Sequence, residues 1–269
     1  FDYHVIVVAS QYKNILSEWT KKLDPRVTNL PLIASFYQVP LIIFVYLYFV
    51  LSCGPRFMKN KPPYSLKKFM KLYNIVQILA NAWLIYDHID SGLFSTKLIC
   101  PTLDYSYNYI PMRITRCLWY YFLLKILDYV QTGIFVLRKK DTQVTALHLY
   151  HHVSTFLLAW MTLRYYAIPP LALMSIMNSF IHTIMYTYYL LSAWGPNVQK
   201  AVAPMKRWIT VIQMIQFIMM ILYGSQYILL DCKVMTHFAL YTYIGNVMVN
   251  FYMFYNFYQK TYTKLKKTQ

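Results

Sequence analysis

Seven apolar stretches dominate this chain, at about 30–51, 69–86, 115–137, 144–163, 171–191, 208–230 and 238–257. Each approaches the ~20 residues that a helix needs to cross a ~30 Å hydrocarbon core. Blocks of that length leave little sequence for a soluble domain. A single all-α membrane domain over residues 1–269 is therefore expected, with seven transmembrane helices, residues 1–29 before the first span and 258–269 behind the last. The composition agrees, since 58% of residues are hydrophobic and 13% charged. The chain opens on Phe1 rather than Met and shows no cleavage pattern, so the natural N-terminus is expected to lie upstream.

A formal net charge of +17 invites a nucleic-acid reading. The basic residues are instead scattered over short loops between apolar spans, and nucleic-acid binding is rejected. Arg56, Lys59, Lys61, Lys67, Lys68 and Lys71 fall in the first loop region, Arg138, Lys139 and Lys140 in the third, and Lys200, Lys206 and Arg207 in the fifth. Lys260, Lys264, Lys266 and Lys267 follow in the tail. The opposite side carries fewer cations, so the positive-inside rule puts the C-terminus in the cytosol and the N-terminus outside it. On that orientation Cys100 and Cys232 share the oxidising side and are disulfide candidates, with two free thiols as the alternative. Lys266 and Lys267 lie fourth and third from the end, an arrangement read as an endoplasmic-reticulum retrieval address; a plain positive-inside anchor would look the same.

Ionisable and amide side chains inside the spans are costly in lipid and mark function. His148, His151 and His152 share one helix face by their i, i+3 and i+4 spacing. Counting from flanking residues at 1.5 Å per residue, Asp128, His151 and His182 all lie about 15 Å deep. Asn74, Gln77 and Asn81, then Lys125, Asp128 and Thr132, then Asn178 and His182, then Asn246 and Asn250 form stripes at helical spacing, joined by Gln213 and Gln216. Such stripes turn inward, so helices two to seven are expected to enclose a narrow polar tunnel open to the cytosol, with helix one outside. Lys125 and Asp128, one turn apart, read equally as a structural ion pair or as catalytic groups. The histidines point to a membrane enzyme.

A histidine box invites a metal, as in di-iron membrane oxidoreductases. Seven histidines in all, with His4, His88 and His237 toward the far end, are too few for a di-iron shell, while a single three-histidine zinc stays open on composition alone. A seven-helix receptor or transporter is the other class to weigh. Receptors gather ligand polarity toward the outer half, and transporters show repeated halves with broken helices; neither pattern is present.

Several motifs run in order along the chain: Asp24-Pro25-Arg26, Gly54-Pro55 with Met58, Lys61-Pro62, Tyr73-Asn74 with Gln77, Phe135-Val136-Leu137-Arg138-Lys139-Lys140, and Gln143-Val144-Thr145. The HxxHH box follows, then Asn178, His182, Met185-Tyr186 and Tyr188-Tyr189, and Thr210 with Gln213, Gln216 and Phe217. Together they resemble the ELO family of very-long-chain fatty acid elongases, in a divergent, insect-like form. The resemblance implies a 3-oxoacyl-CoA synthase of the endoplasmic reticulum that condenses a long acyl-CoA with malonyl-CoA, releasing CO2 and CoA, with no cofactor and no metal. It further implies His151 as the nucleophile that carries the acyl group, with His182 opposite. His148 and His152 then serve as proton-relay or orienting partners, and Lys125 and Asp128 as charge partners in the chamber. Asn178, Gln213 and Gln216 would donate to thioester or enolate oxygens, with Gln131 and Tyr186 beside them, and Arg138, Lys139 and Lys140 would meet the CoA phosphates. Further partners on this reading are the lipid bilayer, the other elongation-cycle enzymes and a second copy of the chain.

Two departures stand out. The family pattern Lys-x-x-Glu/Asp-x-x-Asp-Thr reads here Lys125-Ile-Leu-Asp128-Tyr-Val-Gln131-Thr132, so neutral Gln131 replaces a carboxylate. An amide can orient a histidine but cannot stabilise an imidazolium by charge. Thr155-Phe156 stands where many members have Met-Pro. An inactive or lipid-binding divergent paralogue is therefore the alternative reading.

Overall fold

The computed structural model describes residues 23–263. The tail signal at Lys266 and Lys267, with Lys264 and Gln269, lies outside the described residues, as do His4 and the residues around Phe1. Among the described residues the chain is all helical and contains no strand. The long helices are α1 (Gln38–Met58), α2 (Lys67–Asp90), α3 (Tyr109–Leu137), α4 (Ala146–Tyr165), α5 (Pro169–Ser192), α6 (Met205–Leu229) and α7 (His237–Tyr258). A two-turn helix, Pro196–Val202, lies between α5 and α6.

Local chemistry explains the boundaries. Thr145 caps α4 by accepting from the His148 amide, and Thr236 caps α7 by accepting from Ala239. Pro169 and Pro170 open α5, where a missing N–H costs nothing. The first apolar block was expected to be helical from residue 30, but α1 starts at Gln38. Pro31 and the left-handed Leu32, φ 70°, break the chain before it. Within α1 a π-helical turn, Phe49–Cys53, precedes Gly54, whose backbone lies so close to α3 that a Cβ there would sit 2.7 Å from Val136 Cγ1.

Helix contacts close a ring in the order α2, α3, α4, α7, α6, α5 and back to α2, while α1 packs outside it on α3 and α4. Polarity is inverted relative to a water-soluble bundle. Leu41, Phe44, Leu79, Leu222 and Met248 face outward and exposed, whereas Asn81, Lys125, Asp128, His182, Gln216 and Asn250 are buried. By length and composition α1, α3 and α6 are apolar enough to cross a membrane. The remaining long helices carry the histidines and most of the amide stripes, which lower their mean hydropathy. The chain is a membrane protein on that evidence.

One end of the ring is capped. Arg26 pairs with Asp24 and donates to the carbonyl of Ala167, and the fully buried Arg164 donates to the carbonyls of Ile33 and Ala34. The same end carries Cys100 bonded to Cys232, their Cα atoms 5.2 Å apart, which joins the α2–α3 loop to the α6–α7 loop. Tyr223 and Tyr227 of α6 both donate to the carbonyl of Leu98 beside that link.

Candidate active site

The stripes on α2, α3 and α5 meet at Asp128. Its Oδ1 accepts from Gln77 Nε2 at 3.0 Å and from the Tyr186 hydroxyl at 2.9 Å, and its Oδ2 accepts from Lys125 Nζ at 3.2 Å. Side chains of Lys125 and Asp128 are 5% and 6% exposed, so each charge depends on the other and on these donors. Tyr73 and Asn81 extend the network along α2, both bonded to Gln77. His182 Nδ1 stands 3.8 Å from Asp128 Oδ2, beyond hydrogen-bond reach, with its ring edge-on to Tyr186. Gln131, expected beside the substrate, has its Oε1 3.4 Å from the Tyr186 hydroxyl, whose single proton is better spent on Asp128 at 2.9 Å.

Asn178 connects this node to an internal cavity. Its Oδ1 accepts from Lys125 Nζ at 2.8 Å and from the Tyr121 hydroxyl at 3.2 Å, which occupies both lone pairs. The amide hydrogens of Asn178 are thus what it has left to give, and Asn178 lines the cavity.

On the facing side the histidine box occupies the start of α4. His151 Nδ1 lies 3.0 Å from Asn250 Oδ1 on α7. Asn250 Nδ2 reaches the Asn246 carbonyl at 2.9 Å and must be the donor end of the amide, so Oδ1 accepts and His151 Nδ1 carries the proton. The lone pair of the His151 ring therefore sits on Nε2. His148 Nε2 meets Thr132 Oγ1 at 2.8 Å, and the His148 and His152 rings lie 4.1 Å apart, with His152 packed at right angles to His151. Among the described residues no group of three or more His, Cys, Asp or Glu side chains could hold a metal ion.

The cavity, about 70 Å³, has a polar end and an apolar end. His151, Asn178, Gln216 and Asn250 form the first; Leu158, Leu163, Leu171, Met220 and Val247 line the rest. Its lining residues on α4 run from His151 to Thr162, a stretch of about 16 Å at the helical rise. Tyr243, donating to Met174 Sδ from across the ring, stands in its apolar part. Among the described residues Gln216 Nε2 finds only the Met220 sulfur, a weak acceptor, so its hydrogens remain available to a ligand. Gln213 turns to Met185 and does not line the cavity.

The sequence model of the ELO family, described as GNS1/SUR4, matches residues 31–269. The chain belongs to this family. It is 36% identical over 259 residues to very long chain fatty acid elongase 1 of Mus musculus, covering 94% of this chain and 91% of that protein. Over 254 residues it is 37% identical to human very long chain fatty acid elongase 4, covering 93% and 79%. Over 246 residues it is 35% identical to elongase 7 of Drosophila melanogaster, covering 90% and 74%.

Within this ELO-family chain, Arg138, Lys139 and Lys140 lie at the end of α3 on the surface, away from the cavity, with Lys139 Nζ at the Lys59 carbonyl. The structure also gives weight to residues that reading along the chain did not single out as site groups. Asn250 was visible as part of a stripe, but its pairing with His151 depends on how α4 and α7 face one another. Tyr121, which shares Asn178 with Lys125, carried no signal among 28 tyrosines.

Proposed function

We propose that this protein is a very-long-chain 3-oxoacyl-CoA synthase, condensing a long acyl-CoA with malonyl-CoA through an acyl-histidine on His151. The observation that carries this reading is the hydrogen bond from His151 Nδ1–H to Asn250, which leaves a lone pair on Nε2 in a residue lining the cavity. Nε2 attacks the thioester carbonyl carbon, the C–S bond breaks, and CoA departs as a thiolate. The acyl-imidazolium keeps its Nδ1 proton on Asn250. Malonyl-CoA then loses CO2, its C2 carbanion takes the acyl carbon, and the C–N bond breaks to restore neutral His151. One proton is consumed overall, on the CoA thiolate. His148 and His152 stand beside His151 to handle protons, and His182 faces the charge of Asp128.

Asn178 and Gln216 supply amide hydrogens to the oxygen that becomes negative during attack. Lys125, held between Asp128 and Asn178, raises the donor strength of the Asn178 amide by polarising its oxygen. Asp128 has both oxygens engaged and acts as the charge that keeps Lys125 in place, while Tyr186 fixes Asp128. The acyl chain would follow the apolar part of the cavity, along an α4 stretch whose ~16 Å rise compares with half of a ~30 Å bilayer core. The cavity is narrow, so its Met and Leu walls must part to admit the chain.

On this reading all seven long helices span the membrane, the ring of six encloses the tunnel, and the protein resides in the endoplasmic reticulum with its C-terminus in the cytosol. Arg138, Lys139 and Lys140 then meet CoA phosphates at the tunnel mouth. The test is incorporation of labelled malonyl-CoA by membranes expressing the chain, across acyl-CoA lengths, beside His151→Ala. Condensation that disappears in the variant is expected. Folded protein without activity on any acyl chain would turn the reading to a lipid-binding paralogue.

A further inference from the structure

A second cavity lies at the capped end of the ring. It measures about 160 Å³, larger than the cavity beside His151, and Ile110, Ile114, Ala167, Ile168 and Pro169 give it apolar walls. The two cavities share their helices. On α3, Ile110, Ile114, Leu118 and Tyr121 fall on one face by their spacing; the first two line the second cavity and the last two the first. Leu163 of α4 and Leu171 of α5 line the first cavity, while Ala167 and Ile168, about a turn further along in the α4–α5 connection, line the second. The second cavity therefore continues the first along the ring. One layer of buried side chains, Ile114, Leu118, Leu163 and Leu171, separates them.

The walls decide which class of ligand suits this cavity. Arg26 lines it, but its guanidinium is engaged: it pairs with Asp24 and reaches the carbonyls of Pro111 and Ala167. Lys97 and Asp104, of opposite charge, stand with Thr102 at the exposed rim. Neither sign of charge prevails, so the interior favours an apolar occupant, held by the area it removes from water. Depth decides which apolar group reaches it. From His151 to Leu163 the helical rise amounts to about 18 Å. An extended chain gains at most ~3.3–3.6 Å over the three backbone bonds of a residue, roughly 1.2 Å per bond. A straight acyl chain carried on His151 therefore meets the leucine layer after roughly 15 bonds, and its next carbons have the second cavity in front of them.

We propose that the second cavity is the terminal subsite for acyl-CoA chains longer than about 16 carbons, whose methyl ends pass the layer of Leu118, Leu163 and Leu171, while shorter chains stop before it. Where the carboxyl end sits rests on the acyl-histidine reading above; the cavity and its apolar walls do not. The leucines can turn between rotamers to let methylenes through. Pro101, next to the Cys100–Cys232 link, belongs to the far wall, so that link holds the subsite together when the layer parts.

Twelve-carbon and twenty-carbon acyl-CoA probes with a diazirine at the methyl end test this directly. They are irradiated with wild-type protein in lipid nanodiscs, and the labelled residues are mapped by peptide mass spectrometry. The longer probe is expected to label the second cavity, in 101–114 or 167–169, and the shorter one only the first, between Thr155 and Leu163 or at Met174. Label from the longer probe confined to the first cavity or to lipid-facing residues, or no label at all, would overturn the proposal. So would equal labelling of the second cavity by the shorter probe, which would mean entry through the exposed rim. Ile110→Trp fills the second cavity and should lower the ratio of condensation rates, twenty-carbon over twelve-carbon, roughly tenfold. Thr102→Trp at the rim should act in the same direction and replaces it if Ile110→Trp does not fold. An unchanged ratio in folded protein counts against the subsite. Wild-type protein that takes the label in the second cavity without condensing would defeat the reaction proposed above and leave the subsite standing.

Discussion

On the proposed acyl-histidine reaction, Asn250→Leu isolates the bond that prepares His151. The leucine is close in size and apolar, so the space is filled while the acceptor for His151 Nδ1–H is lost. The wild-type Asn250 donor also reaches the Asn246 carbonyl, but that carbonyl lies one helical turn back on α7 and keeps its backbone partner. The cost to folding is therefore small. His151 is left with two choices. It can keep its buried N–H unpaired, which costs about 1–3 kcal/mol. Alternatively it can move the proton to Nε2, which removes the nucleophilic lone pair from the cavity. Either way acylation loses on the order of 1–3 kcal/mol of transition-state stabilisation, roughly a 5- to 150-fold slower step at ~1.4 kcal/mol per tenfold. The assay is single-turnover transfer of labelled acyl groups from acyl-CoA to detergent-purified protein, read as hydroxylamine-sensitive label. Asn250→Asp keeps an acceptor and should acylate far faster than the leucine variant. Wild-type acylation by well-folded Asn250→Leu would refute the assignment of His151 Nε2 by its hydrogen bond.

Lys125→Met alone should lower the melting temperature more than the double change Lys125→Met with Asp128→Asn, because a lone buried carboxylate costs about 3–5 kcal/mol whereas removing both charges can be nearly neutral; a double-mutant cycle of thermal unfolding reads the difference. Gln131→Leu should slow condensation less than Asn250→Leu, since the Gln131 side chain is held by a long 3.4 Å bond from Tyr186 whereas Asn250 bonds His151 directly. Gly54→Ala should destabilise by about 1–3 kcal/mol, its Cβ falling 2.7 Å from Val136 Cγ1 and 2.8 Å from the Phe49 carbonyl, measurable as a lower melting temperature. Replacing Cys100 and Cys232 by serine should lower thermal stability by up to about 4 kcal/mol under oxidising conditions and leave reduced protein unchanged, because the link closes a separation of 132 residues.

The helical layout and the level of the polar groups were legible because lipid imposes simple rules. Long apolar runs become helices, costly polar groups turn inward, and the helical rise converts residue counts into depth. The first block failed at its start because Pro31 and Leu32 obey local backbone limits that an apolar average overlooks. Azimuth was harder. Depth placed Asn250 near His151 but could not say that α7 turns Asn250 toward α4, and nothing marked Gln131 as facing Tyr186.

The contacts divide the labour between two parts of the ring. Helices α2, α3 and α5 share the charged node of Asp128, Lys125, Gln77 and Tyr186. Helices α4 and α7 share the His151–Asn250 pair. Asn178, tied to Lys125 on one side and lining the cavity on the other, is where the first system meets the space that His151 also lines. A thioester between His151 Nε2 and the Asn178 amide would feel both, one as nucleophile and one as donor to its oxygen. The two systems should then fail differently. Loosening the α4–α7 pair slows acylation by unsettling the His151 tautomer while the charged node persists, so substrate binding is retained. Neutralising the node leaves His151 poised and weakens the donor, so acyl-enzyme forms slowly with its tautomer intact. If instead both classes of variant slowed acylation by the same factor and their effects failed to add, the site would act as one unit, and the division drawn from the hydrogen bonds would be wrong.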